Sequence, residues 1–143
     1  MLITPTISNG IHGNAGAYDG FTPVEPLTER LSGDIYRRWL QQTICGKVDL
    51  FFAGHDHDMQ VLKSVPECGH TLFIVSGAGA KTRALGNPKR NPAYWQIDHQ
   101  VGFFLVNISG AKLHIKGYIV DEQTGTPILT FEKTFQKRKA VEF

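Results

Sequence analysis

Val48-Asp49-Leu50-Phe51-Phe52-Ala53-Gly54-His55-Asp56-His57-Asp58-Met59-Gln60-Val61-Leu62-Lys63 is the stretch that decides the fold. A short, mostly apolar run, Val48–Ala53, ends abruptly at a glycine. Four polar residues follow, and then a second apolar run, Met59–Lys63. Runs of this length without alternation read as strands buried on both faces. Thr71–Val75 is a third of the same kind. If the first strand runs up, the second returns and the third runs up again.

Upstream, the spacing predicts a helix over about Gly33–Ile44. Ile35, Trp39, Leu40 and Tyr36 form its apolar face, with Arg37, Arg38, Gln41 and Gln42 opposite. Ser32 is positioned to cap it and Gly46 to stop it. Before the helix, residues 6–20 have no apolar periodicity and carry Gly10, Gly13, Gly16 and Gly20, so they read as a long loop. Long ordered loops are usually functional. Residues 76–99 read as a second long loop. Beyond it, Gly102–Ile108, Lys112–Val120 and Ile128–Phe135 alternate, and turns at Ser109-Gly110 and Asp121–Gly125 make them a β-meander. The tail Lys137-Arg138-Lys139 is expected to fray.

The chain has 143 residues, 41% of them hydrophobic and 20% charged, enough for one domain with a real core and unlike a disordered chain. A formal charge of +2 argues against nucleic acid as a partner. No apolar run reaches the length of a membrane-spanning helix. Met1–Thr6 has neither the charged nor the apolar part of a signal peptide. Cys45 and Cys68 match no zinc module. They read either as two buried thiols or as a bridge, since each lies three residues before a strand that starts at the same end of the sheet.

Chemistry concentrates in three places. His55 and His57, two apart at a strand end, can present nitrogens to one small volume, and the carboxyl end of a strand is where α/β sheets place ligands. Imidazole suits Zn, Fe, Mn and Ni, but two ligands make half a metal site; the bland alternative is loop histidines bonded to backbone. His12, flanked by Gly10 and Gly13, is poorly placed for a core. It reads as a solvent-exposed histidine or as an acid and hydrogen-bond donor to a substrate. Ser76-Gly77-Ala78-Gly79-Ala80-Lys81 is a small-residue turn after a buried strand that resembles a phosphate cradle but lacks the Lys-Ser or Lys-Thr of a P-loop. Lys81, Arg83, Lys89 and Arg90 then form a basic loop without acids, either simply solvated or raising the local concentration of an anion. His70, His99 and His114 read as structural and partnerless.

In order, Pro5-x-x-Ser8-Asn9-Gly10-x-His12-Gly13, a helix, an apolar strand, Gly54-His55-Asp56-His57, and a strand into Ser76-Gly77-Ala78-Gly79 resemble the C-terminal half of a calcineurin-like metallophosphoesterase. The pattern is closest to the purple (tartrate-resistant) acid phosphatase-like branch. The resemblance covers about residues 5–80 by motif and the rest by pattern. It implies an α/β (α+β), β-rich fold, the C-terminal half of a four-layer αββα sandwich. Residues 1–143 would form one partial domain: an active-site loop region (1–32), helix and strands with the two motifs (33–80), and basic loop with meander (81–143). It further implies a phosphoric monoester hydrolase whose metal pair is Fe with Fe, Zn or Mn. His55 and His57 would each ligate one metal, and His12 would contact the phosphate and protonate the leaving group. Asn9 and Lys81 would bind the phosphate monoester. Two cations would neutralise the phosphoryl oxygens while a bridging hydroxide attacks in line. Relatives of this branch are exported.

The departures shape the expectation. The family's Asp-x-His, Gly-Asp-x-x-Asp and Gly-Asn-His motifs do not occur here, and Ile3 stands where the family has a metal-binding histidine. Two histidines then support at most one weakly bound metal, completed by water, and the chain is expected to have little or no phosphatase activity. An uncovered half-sandwich predicts self-association or pairing with a separate N-terminal half. The alternative is a non-catalytic module that binds an anion or a partner and keeps a vestigial metal site.

Overall fold

The computed structural model describes residues 5–16 and 27–137, with side chains of the α-helix Leu27–Thr43 described from Gly33 onward. Ile3 and the tail residues Arg138 and Lys139 lie outside the described residues.

Among the described residues, seven strands form two sheets. In the first, β1 (Leu50–Ala53), β2 (Met59–Leu62), β3 (Leu72–Ser76) and β4 (Ala93–Ile97) lie in the order β1-β3-β2-β4. β1 is parallel to β3, and β2 runs against both β3 and β4. The second sheet is an antiparallel meander of β5 (Gly102–Ser109), β6 (Lys112–Val120) and β7 (Pro127–Gln136). One helix, α1 (Leu27–Thr43), precedes them. This β-rich α+β architecture is the class expected from the sequence.

Why β2 and β3 lack alternation is now plain: both faces are covered. Toward the second sheet, Val61, Leu72 and Ile74 pack against Leu113 and Ile115, with Trp95, Phe104, Val106 and Phe131 around them. The opposite face buries Leu62 and Phe73 against Ile7 and Cys68. In β6, Leu113, Ile115 and Gly117 point inward. A methyl group on Gly117 would stand 3.2 Å from both Phe104 and Phe131, so that aromatic layer would have to give by a few tenths of an ångström to admit it.

Three expectations change. α1 starts six residues earlier than predicted, so Ser32 lies inside the helix and does not cap it. Of its expected apolar face only Leu40 is buried; Ile35 is 67% and Trp39 54% exposed. The periodicity correctly marked an apolar stripe, but most of that stripe has no sheet beneath it. β4 lies within residues 76–99, which read as loop. Its Tyr-Trp-Gln-Ile run favours a strand, but Pro92 and the basic residues before it masked the signal. Gly46 ends the helical segment as expected, at φ 72°. The open question of the cysteines resolves to a Cys45–Cys68 disulfide.

β1 is an edge strand, and Phe52 on it is 39% exposed instead of buried. On the outer face of the second sheet, Phe103 stacks on Tyr118 at 5.2 Å and remains open to solvent, as does Leu105. No helix among the described residues is long and apolar enough to cross a membrane.

Ile115 makes the sandwich core and Leu105 does not, so truncation should separate them. Ile115→Ala should cost about 3 kcal/mol and Leu105→Ala less than about 0.5 kcal/mol, read from urea unfolding midpoints at constant slope.

Candidate functional site

β1 delivers the chain to Gly54, and the backbone turns there: His55 takes φ 74° and the Asp56 N–H donates to the Gly54 carbonyl at 3.0 Å. A left-handed φ at a non-glycine residue is uncommon. Here it turns His55 outward while Asp56, 1% exposed, goes inward. The Asp56 carboxylate accepts a hydrogen bond from the Ser8 hydroxyl and another from the His12 N–H at 3.3 Å. His12 Nε2 also lies 3.9 Å from Asp56 Oδ1. The two motifs are thus bound together through one carboxylate.

Gln60 on β2 completes the strap. Its carbonyl oxygen accepts from the Asn9 N–H at 2.8 Å, and its amide donates to Ser8 Oγ at 3.1 Å and to Asp58 Oδ1 at 2.7 Å. The approach is so close that a methyl group on Gly10 would meet Asp56 Cγ at 2.3 Å, and one on Gly77 the Asp56 carbonyl oxygen at 1.8 Å. Gly10 and Gly77 are therefore there to let the backbone in.

The structure brings His12 and His55 together, ring centroids 4.3 Å apart and tilted by 34°. His57 lies on the same tip, near enough that its charge bears on His12. Its Nδ1 is buried without a hydrogen-bond partner. Arg83 joins them: its N–H donates to the His57 carbonyl at 2.9 Å, and its charge also bears on His12. Burial pulls the His12 pKa below its ordinary value, against the pull of Asp56, and His55, Arg83 and His57 lower it further. His12 therefore favours the neutral ring, a donor at one nitrogen and an acceptor at the other.

Asn9 and Lys81 take different places. Asn9 is fully buried. Its side-chain amide donates to Gln96 Oε1 at 2.7 Å and to the Asn91 carbonyl at 3.0 Å, and its side-chain oxygen accepts from the Asn91 N–H at 2.8 Å. The expected contact of Asn9 with a substrate has no free polar atom to make it; the residue fastens the first loop to the second. Lys81 is exposed on the turn after β3. Arg90, grouped by sequence with the basic loop, is half-buried and donates to the carbonyls of Ser8 at 2.5 Å and Gly10 at 3.1 Å. His70 and His114 are not partnerless: they lie 3.8 Å from Asp49 and 2.8 Å from Glu132.

Sequence reading missed Ser8, Asp56, Asp58 and Gln60 as a unit. The alternation Asp56, Asp58, Gln60 into a buried strand was the available signal, because polar residues at every second position share one face.

These donors do not fit a dinuclear metal centre. Among the described residues no group of three or more histidine, cysteine or acidic side chains is placed to hold a metal ion. Asp56, the carboxylate nearest the histidines, already has its oxygens engaged by Ser8 and His12. Asp58 is bonded to Gln60 and 1% exposed.

No family model matches the chain, and no curated protein matches it. Two solved structures are similar, a single and a double mutant of Vps29 from Entamoeba histolytica, each at 24% identity. The first aligns at a TM-score of 0.44 over 80% of this chain and 51% of that one. The second aligns at 0.42 over 94% and 61%. The chain thus spans between half and two thirds of their length, and the chemistry of the site rests on this chain's own residues.

Burial, helped by Asp56 and Asp98 and opposed by the Gln60 hydrogen bond, pushes Asp58 up from 3.8 to about 7. A raised carboxyl pKa contributes stability below the unfolded value that is lost as pH rises through the folded one. Asp58→Asn, which stays neutral, should therefore gain melting temperature over the parent at pH 8 relative to pH 5, by about 3 °C or more, in paired thermal melts.

Proposed function

We propose that this chain is the phosphate-facing C-terminal portion of a metallophosphoesterase-type, acid phosphatase-like hydrolase. By itself it binds a phosphoryl anion and turns it over little or not at all. The observation that supports this most is the His12–His55 pair, held at 4.3 Å over a buried Asp56 and beside Arg83.

The division of labour follows from the contacts. Asp56 orients His12 by accepting from its backbone N–H, so the imidazole presents to the tip where His55 and His57 project. A neutral His12 can donate one ring N–H to a phosphoryl oxygen, and protonation at lower pH would let the same ring give a proton to a departing alkoxide. Arg83 and Lys81 add positive charge on the adjoining loop, which raises local anion concentration even where contact is through water. A metal pair in a complete enzyme would supply an activated hydroxide. The donors described here do not fit one, and no hydrolytic step is assigned to this chain.

The non-catalytic anion-binding module is the second reading, favoured by the full satisfaction of Asp56 within the chain. A separate N-terminal half would suit the exposed β1 edge and Phe52. The Cys45–Cys68 bridge suits an oxidising, exported setting.

p-Nitrophenyl phosphate hydrolysis, assayed with Fe, Zn or Mn, should not exceed that of the His55→Ala/His57→Ala variant. Titration with inorganic phosphate should shift the His12 and His55 ring signals in NMR spectra, and Arg83→Ala should weaken that binding about tenfold, the loss of one charge-assisted hydrogen bond. Turnover clearly above the variant would reject the inactive assignment. Ring signals unmoved by phosphate would reject the anion site.

A further inference from the structure

A second opening, lined by none of the three histidines, lies between α1 and the N-terminal loop. It is a cleft of about 530 Å³ whose lining includes Thr6, Asn14, Arg37, Gln41, Glu67 and Asn91. Two polar atoms of these residues are buried and lack a hydrogen-bond partner: the hydroxyl of Thr6, a residue 2% exposed, and Nε of Arg37. Buried polar groups are nearly always paired, so two orphans on one lining point to a missing partner.

The walls are built to hold still. Arg37 Nη2 is fixed by Asp34 at 3.2 Å, which leaves its Nε–H as the unmatched arm of a guanidinium fork. The side chains of Asn14 and Asn91 bond each other at 2.8 and 3.2 Å. Cys45, just past α1, is bridged to Cys68, which itself lines the cleft at the end of the 3-10 turn Pro66–Cys68. The disulfide therefore ties the helix side to the facing segment, so the cleft is shaped before any ligand arrives.

We infer that this cleft binds a small zwitterion, an amino acid or short peptide. Arg37 Nε–H and the Thr6 hydroxyl donate to its carboxylate, and Glu67 receives its ammonium group. The guanidinium edge selects a planar carboxylate, and Glu67 on the same lining disfavours a ligand that is only anionic. This separates the cleft from the histidine tip, where the charge of Arg83 acts on His12 and the acids Asp56 and Asp58 are buried instead of facing outward.

Alanylalanine, acetate and inorganic phosphate, each titrated into the full chain and followed by amide and Arg Nε NMR signals, test the assignment. Alanylalanine should shift Thr6 and Arg37 and bind at least tenfold tighter than acetate. Arg37→Met should weaken it at least tenfold and Thr6→Val several-fold, whereas His12→Ala should leave it unchanged. Glu67→Gln should weaken alanylalanine and not acetate, and the Cys45→Ser/Cys68→Ser pair should weaken both. Should Arg37→Met fail to fold, Thr6→Val, which keeps the shape of the side chain, carries the test. No response to alanylalanine, an equal response in Thr6→Val, or preferential binding of phosphate at these residues would overturn the assignment.

Discussion

One buried carboxylate holds the two halves of the site together. Asp56 sits at the tip beyond β1, and its oxygens are taken by the Ser8 hydroxyl and the His12 N–H from a loop more than forty residues earlier in the chain. A polar group removed from water is costly unless it meets hydrogen-bond partners. Those donors must come from the first loop, because the tip itself supplies none. The placement of His12 beside His55 is then a consequence of satisfying Asp56, and a loop with little apolar content becomes ordered because its polar groups are needed elsewhere.

That arrangement depends in turn on the two-faced burial of the first sheet. β2 and β3 pack on the second sheet with Val61 and Ile74, and on the opposite face with Leu62 and Phe73. Both faces being dry, the strand ends cannot shift to accommodate a poorly fitted loop. Gln60, fully buried on β2, extends the same logic by bonding Asn9, Ser8 and Asp58 at once. Asn9 passes the connection on to Asn91 and Gln96 in and beside β4. A chain of satisfied amides thus runs from the first loop to the sheet and on to the second loop.

Strands with continuous apolar runs or clear alternation were legible, because burial on two faces or one leaves those patterns directly in the residue order. The helix was legible as a helix but not in its packing. The spacing of Ile35 and Trp39 states that a stripe is apolar, not what covers it, and among the described side chains of the helix only Leu40 and the small Gly33 turn inward. β4 was hidden because five residues between a proline and a polar turn carry too little pattern against a basic, proline-containing background. At the site, the histidines could be read from local spacing. The bonds that set their positions could not, since Ser8 and Asp56 are 48 positions apart and Asn9 and Asn91 are 82 apart. Asn9 looked like a substrate ligand for the same reason: its motif is local, but its partners are distant.

The charge balance at the tip shows how this chain accommodates two acids without a metal fit. Asp56 is met by hydrogen bonds from the Ser8 hydroxyl and the His12 N–H. Asp58 takes the other route: burial raises its pKa to about 7, so near neutrality it is partly protonated. Two close acids need not then both be ionised. The positive charge of Arg83 then acts on His12. The acids at this tip are, in this chain, balanced by partners within the chain itself.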